Sequence, residues 1–370
     1  MLSIWERQSF TNYDVVIVGS GISGLSAAAS LKEQDPSLSV LILESGLLPS
    51  GASTKNAGFA CFGSLSELLA DFHKMGRSKT KELVSKRWKG LRKLRSRLTD
   101  QRIGFLQNGG YELLDDQNAY LLQKIDEVND LLEPVFHQAV FSDQSQKVAE
   151  FGFKGYEGMI FNPLEGQLDT GEMMKSLLAH CQQLGVSMLT GASVKGFSHE
   201  GERVQVETRN GLPIQCRVLG LCTNAFTPNL IPTDLKPGRG LVLAIKPEQI
   251  PFRGTFHVEE GFYYFRDYHD YVIFGGGRNL DFETETTTAF DVNPAIESRL
   301  LSMLEESILP GQQFEITDRW TGIMAFGDTK EPIIQEVEQG VFLGVRLGGM
   351  GVAIGSLVGE QLASLMRASL

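Results

Sequence analysis

Apolar positions in this chain fall into short continuous runs that alternate with stretches of helical period. Residues 15–18, Val-Val-Ile-Val, form a β-branched run, the pattern of a parallel strand covered on both faces. Glycines interrupt the pattern at 19, 21 and 24, and residues 26–31 then predict a helix of small side chains. A second apolar run at 39–43 ends at Glu44. Over 64–102 the period is helical, with Leu65, Leu68, Leu69 and Phe72 on one face and Leu91, Leu94 and Leu98 on another. Residues 110–114 predict a strand, 116–132 a helix, and 158–161 a further strand. Asp169-Thr170 predicts the cap of a helix over 171–184, with Glu172 in its first turn. Strands are predicted from 185–189, a meander from 192–197 and 204–208, and a buried strand from 218–225. These pieces match the later half of a doubly wound domain.

From Gly240 the texture changes. Residues 241–245, 261–266 and 271–276 are β-rich and separated by turns, which predicts an antiparallel sheet. A helix follows over 294–307. The chain closes with an apolar run at 340–347, a second glycine-rich turn around Gly348, and a helix over 353–366. Strand, glycine turn and helix therefore stand at both ends, and both ends are expected to build one site.

The first of these units carries chemistry. Gly19 permits a tight turn, Gly21 lets backbone approach a pyrophosphate, and Gly24 lets helix and strand pack closely. The unpaired amides and macrodipole of the helix start form an anion site. Glu44, twenty residues beyond Gly24, stands where a carboxylate accepts ribose hydroxyls. Together these elements point to an adenine dinucleotide, FAD or NAD. The loop at 45–60, rich in Gly, Ser and Asn, reads as a continuation of that cradle.

Composition narrows the classes. The formal charge of −11 opposes attraction to nucleic acid or anionic lipid, although 74–102 is crowded with Lys and Arg, read as a solvated helix surface. No apolar run approaches a membrane span, and residues 1–12 lack the apolar core of a signal peptide. The four cysteines and six histidines show no metal-ligand spacing, so no metal is expected, and the cysteines read as buried reduced thiols in a cytoplasmic protein.

The assembled pattern resembles the D-amino-acid oxidase superfamily of FAD-dependent oxidoreductases, which includes glycine oxidase, sarcosine oxidase and γ-glutamylputrescine oxidase types. The resemblance rests on Gly19-Ser-Gly21-Ile-Ser-Gly24, Glu44, the loop 51–58, Gly166-Gln-Leu-Asp-Thr170, Val194 and Pro237-Gly-Arg-Gly240. Trp320-Thr-Gly322-Ile, Glu331-Pro-Ile-Ile334 and Gly348-Gly-Met-Gly351 continue it. It implies an α/β plus α+β fold. A Rossmann-like FAD-binding domain (1–65, 152–230 and 318–370) would be interleaved with an antiparallel-sheet substrate domain (66–151 and 231–317). It also selects FAD over NAD. Gly19, Gly21, Ile22, Ser23 and Gly24 would hold the pyrophosphate, Glu44 and Ser45 the ribose, and backbone at Val194 the adenine. Ser53, Thr54, Lys55, Asn56, Ala57 and Gly58 would run along the pyrophosphate and flavin edge. Thr223, Asn224 and Gly322 would add to the cradle, and Gly349, Met350, Gly351 and Val352 would bring amides to the flavin pyrimidine.

The implied activity is oxidation of the C–N bond of a small amine or amino-acid derivative, with hydride passing to flavin N5 and the imine hydrolysing in water. Tyr263, Tyr264 and Met324 are the implied substrate-pocket residues, and strand alternation sends the two tyrosines to opposite faces. Departures from the family bear on this. Met324 stands where amino-acid oxidases carry a carboxylate-binding arginine, and Gly349 where the glycine-oxidase type carries another, which points towards amines. Arg239, Arg266 and Arg346 remain as anion partners or structural ion pairs. No cysteine lies near Gly322 to link the flavin, so FAD is expected to be non-covalent. No lysine aligns with the strand at Ile273 and Phe274 to promote reaction with oxygen, so oxygen and another electron acceptor both stay open. The rival readings are an NAD-dependent dehydrogenase and a flavin-binding partner or sensor without turnover.

Overall fold

The computed structural model describes all 370 residues, Met1–Leu370. Two eight-stranded sheets carry the fold, with a two-stranded ribbon between Phe59–Ala60 and Gly166–Gln167. The first sheet is built around Asn12–Val18. This strand pairs in parallel with Val40–Leu43 on one side and Pro213–Leu221 on the other. Ser187–Leu189 extends one edge, and Val341–Val345 followed by Ile333–Glu338 extends the other. Val15 to Val18 and Val40 to Leu43 are buried on both faces, which explains why these strands carry no alternation. The meander Val194–Glu200 and Arg203–Thr208 hangs from the same sheet through Pro213–Leu221.

The helix Ile22–Gln34 follows the first strand, and the last helix, Gly351–Ala368, packs directly on it. A Cβ at Gly359 would collide with Ser26 and the Ala27 amide, and one at Gly355 with Ile22. These two glycines bring the helix axes close enough for the Ser26 and Ser356 hydroxyls to meet at 3.3 Å. The two ends of the chain thus come together.

The second sheet runs in the order Phe314–Phe326, Lys236–Pro247, Tyr271–Gly276, Tyr263–Tyr268, Thr255–Val258, Gly110–Leu114, Gly158–Asn162, Ser142–Asp143. Neighbours are antiparallel except Thr255–Val258 with Gly110–Leu114, which are parallel. The strands expected to pair antiparallel, within 241–245, 261–266 and 271–276, do so, and the parallel pair adds Gly110–Leu114 to them. Its strands come from distant parts of the chain, so no hairpin dictates their sense. Gly158–Asn162, and the part of Phe314–Phe326 from 318 onwards, which the resemblance placed in the nucleotide-binding unit, run in this second sheet. Gly158–Asn162 pairs with Gly110–Leu114, where Phe161 packs on Tyr111 at 4.8 Å. Phe314–Phe326 is bonded along its length to Lys236–Pro247. An aromatic core, with Phe256 and Phe265 stacked at 4.7 Å, holds this sheet against the helix Pro294–Met303.

The stretch 64–102 forms two helices, Leu65–Met75 and Arg77–Leu98, broken at Gly76 with φ 85°. Several of its cations pair within the chain, Arg87 with Glu67 at 3.1 Å, Arg97 with Glu33 at 2.8 Å and Lys93 with Glu360 at 2.5 Å. The basic run therefore ties elements together in addition to facing solvent. The predicted helix at 116–132 begins as a 3-10 turn, Ala119–Lys124, before the α-helix Ile125–Phe136. All four cysteines are buried and unpaired. No helix is long and apolar enough to cross a membrane.

Candidate functional site

A cavity of about 940 Å³ is lined by residues of both large sheets. The turn after the first strand forms part of its wall through Gly19, Gly21, Ile22 and Ser23. The helix that starts there has no side-chain cap of its own; the Ile22 amide instead donates to Ser53 Oγ at 3.0 Å. Gly24 lies off the wall. A Cβ there would strike the Gly19 carbonyl, so its work is the close packing of strand and helix. Glu44, on the wall beside Ser45, is buried and pinned. The Ser20 amide and hydroxyl donate to its Oε2 at 3.1 and 2.6 Å, and the Gly46 amide donates to Oε1 at 2.8 Å.

From the loop, Ser53, Lys55, Asn56 and Ala57 line the cavity, whereas Thr54 and Gly58 do not. The Thr54 hydroxyl donates to the Pro49 carbonyl at 2.8 Å, and Gly58 at φ 77° lies against the Leu168 carbonyl and Arg266. The Asn56 side chain is consumed within the fold. Its Nδ2 donates to the Ser53 carbonyl at 2.8 Å, and its Oδ1 accepts from the Gly58 amide at 2.9 Å and the Thr170 hydroxyl at 3.0 Å. Val194, Thr223, Asn224, Gly322, Met324, Gly349, Met350, Gly351 and Val352 also face the cavity. The last helix begins there without a side-chain cap, as the first cavity helix does.

Of the two tyrosines, only Tyr264 lines the cavity. Tyr263, 1% exposed, turns into the aromatic core on the opposite face, so it is not a pocket residue. Burial pushes the Tyr264 hydroxyl up to about 12, which keeps it protonated at neutral pH. A Cβ added at Gly240 would meet the Met324 methyl at 3.1 Å and the Tyr264 hydroxyl at 3.9 Å, and one at Gly349 would meet the Met324 sulfur at 3.5 Å. Tyr264, Met324 and the last glycine turn therefore converge.

The three arginines singled out from sequence are committed elsewhere. Arg239 forms a buried two-pronged pair with Glu285 at 2.8 and 2.7 Å. Arg266 donates to the carbonyls of Ala57 and Leu168, and Arg346 to the Glu331 carbonyl and the Thr329 hydroxyl.

Residues 14–365 match the model of a family described as FAD dependent oxidoreductase. The chain belongs to the FAD dependent oxidoreductase family. The probable oxidoreductase OrdL of Rhizobium meliloti is 24% identical over 375 residues, which cover 95% of this chain and 82% of that protein. Glycine oxidase from Geobacillus kaustophilus superposes with a TM-score of 0.80 at 19% identity, over 97% of this chain and 96% of that one. L-proline dehydrogenase from P. horikoshii superposes with a TM-score of 0.78 at 18% identity, over 97% and 94%. These structures share the fold.

The residues present fit the cofactor that names the family. The starts of Ile22–Gln34 and Gly351–Ala368 have no cap from their own N-cap residues, and apart from the Ile22 amide, which Ser53 takes, their first amides are left for the same cavity. The Glu44 carboxylate stands on its wall. The volume lies in the range of small-molecule and cofactor sites.

One residue of this FAD dependent oxidoreductase escaped the sequence reading. Arg278 opens a short 3-10 turn directly after Tyr271–Gly276 and lines the cavity. Its guanidinium lies 4.0 Å from the Phe326 ring centroid and 4.8 Å from that of Phe282, and its side chain makes no hydrogen bond or ion pair. It approaches Gly238, which pairs with Met324 in the sheet, so the cation arrives beside the position that Met324 holds. The available signal was its place, a lone arginine after Gly275-Gly276-Gly277 at the end of the aromatic hairpin.

Proposed function

We propose that this chain oxidises the C–N bond of a small amine that carries a carboxylate, an amino acid or amino-acid derivative, the imine product hydrolysing in water. The observation that carries this reading is the unpartnered Arg278 guanidinium in the cavity that also holds Tyr264, Met324 and the start of the last helix. An arginine without an internal partner favours an anionic group on the ligand. It supplies from the end of the aromatic hairpin the charge that Met324 and Gly349 lack.

Bound FAD, held without a covalent link, supplies the hydride acceptor. The chain's residues do the rest. The Gly21 and Ser23 amides hold the pyrophosphate on a turn shaped by Gly19 and Ile22, whose own amides donate to Leu43 and Ser53, Glu44 and Ser45 take the ribose, and Val194 meets the adenine. Ser53, Lys55, Asn56 and Ala57 follow the cofactor towards its ring, with Thr223, Asn224 and Gly322 completing the cradle. In the turn Gly349-Met350-Gly351-Val352 the Met350 amide donates to Leu347, and the amides of Gly349, Gly351 and Val352 favour negative charge beside them. Arg278 anchors the substrate carboxylate, and Tyr264 and Met324 close over its carbon chain. Phe290 and Phe326 add apolar wall that reduces water near the reacting carbon. The first sheet and its helices serve the cofactor, and the second sheet serves the substrate while adding Gly322 to the cradle. Four unpaired buried thiols support a reducing, cytoplasmic setting.

The test is an anaerobic screen of the FAD-loaded protein against free amino acids, N-alkyl amino acids and the matching amines without a carboxylate. Bleaching of the flavin by carboxylate-bearing compounds is expected. Bleaching by carboxylate-free amines alone would contradict the substrate assignment.

A further inference from the structure

The cavity wall contains a second cluster, to which the oxidation proposed above assigns no role. Cys61 follows the short strand Phe59–Ala60, Glu165 lies just before Gly166–Gln167, and His257 sits in Thr255–Val258. One ligand atom from each lies within 4.8 Å of the other two. All three residues are more than nine-tenths buried, at 5, 1 and 7% exposure. Cys61 and His257 reach the cavity, with Glu165 behind them.

The spacing inside the cluster is informative. His257 Nε2 is buried and has no hydrogen-bond partner. Its nearest acid, Glu165 Oε2, stands at 3.5 Å. A charge-assisted bond between them would close to about 2.7–2.9 Å. Two ligands bound at about 2.0–2.1 Å to one tetrahedral zinc ion stand roughly 3.3 Å apart. The observed gap is closer to the second arrangement. The carboxylate is already oriented, because Glu165 Oε1 accepts from the Phe62 amide at 3.3 Å, the kind of support that metal-ligating carboxylates receive. The Phe59 ring packs edge-on against the imidazole at 5.2 Å and fixes its plane.

We propose that Cys61, Glu165 and His257 bind one zinc-class divalent cation in the cavity wall. A thiolate, an imidazole and a carboxylate together suit zinc better than magnesium or calcium, which take oxygen ligands. The two anionic ligands offset the charge of the ion in a buried setting. Three protein ligands leave a fourth position, and because Cys61 and His257 are the two that reach the cavity, that position opens towards it. Cys61 Sγ also lies 3.9 Å from Met350 Sδ, so the site abuts the turn that begins the last helix. The assignment does not depend on what the flavin oxidises.

The test uses the full-length, FAD-loaded protein after treatment with chelator. Zn²⁺ alone is titrated by calorimetry, and the zinc-loaded protein is studied by zinc-edge X-ray absorption. One zinc per chain is expected, with one sulfur neighbour at about 2.3 Å and nitrogen or oxygen neighbours at about 2.0–2.2 Å. Cys61→Ser and His257→Asn should each weaken zinc binding by at least about 100-fold, with circular dichroism and flavin content reporting that the fold persists. Absence of zinc binding, bound zinc without a sulfur neighbour, or unchanged affinity in both folded variants would overturn the proposal. If both variants fail to fold, the absorption spectrum of the wild-type protein decides alone.

Discussion

Replacing Arg278 by Met separates substrate recognition from folding more cleanly than any other change in the cavity. The guanidinium has no acid or carbonyl to orphan, and its contacts are the rings of Phe282 and Phe326. Methionine keeps an apolar stem against those rings, so stability should change by no more than about 1 kcal/mol. Burial pushes the Arg278 guanidinium below its ordinary range, but an arginine stays charged at neutral pH. Hydrogen bonds to a charged partner contribute about 1.5–3 kcal/mol. At about 1.36 kcal/mol per decade, that is roughly a 10- to 150-fold loss in kcat/KM. The loss should fall on carboxylate-bearing substrates and leave a matched amine without the carboxylate within about two-fold, and Arg278→Lys should recover part of it because the charge remains without the planar fork. Anaerobic stopped-flow reduction of the flavin, run with both substrates of a matched pair, measures this directly. Equal losses on both, or no loss on either, would refute the reasoning.

Other outcomes follow from the same geometry. Glu44→Gln removes the anionic acceptor pinned by Ser20 and Gly46 and should raise the Kd for FAD by about 10-fold or more, read by quenching of flavin fluorescence; an unchanged Kd would remove Glu44 from the cradle. Tyr264→Ala should slow flavin reduction with a modest cost in stability, whereas Tyr263→Ala, on the core face, should cost about 3–5 kcal/mol in denaturant unfolding; the reverse pattern would mean that the strand faces are misassigned. For Glu67, burial opposes ionisation, but the charges of Arg87 and Lys330 outweigh it and hold the carboxyl at about 2, below its ordinary 4.5. The ionised form is therefore favoured in the folded state. Its stabilisation, on the order of 3 kcal/mol, is complete above pH 4.5 and is lost as pH falls towards 2. Glu67→Gln should flatten that part of the stability profile and cost about 3–5 kcal/mol at neutral pH by stranding buried Arg87; an unaltered profile would contradict it.

The parts of the fold that were legible in the sequence are those set by local pattern. The run Val15 to Val18, the spaced glycines and Glu44 define strand, turn, helix and carboxylate within one short segment, and the glycine turn before the last helix repeats the signal. Tertiary pairing was less legible. Nothing local tells Gly158–Asn162 to join Gly110–Leu114, because that choice is made by aromatic packing of Phe161 on Tyr111. The choice between Tyr263 and Tyr264 was correctly posed by alternation but needed the sheet's buried face to be known. Arg278 was hidden because an unpaired cation is defined by what fails to surround it, which a sequence does not display. Cys61, Glu165 and His257 were hidden for a related reason. Their proximity is created by the two-stranded ribbon and the second sheet, while in the chain they lie far apart.

The central claim is that the cavity oxidises a carboxylate-bearing amine at its C–N bond. Single-turnover product analysis tests it most directly. The FAD-loaded protein is mixed without oxygen with one equivalent of a compound found to bleach it, quenched, and assayed for the carbonyl and amine products. The account predicts one carbonyl compound and one amine or ammonia released per flavin reduced, with the carboxylate retained on one of the products. Flavin reduction without C–N cleavage, or a flavin that stays oxidised across the whole series of carboxylate-bearing amines, would contradict it.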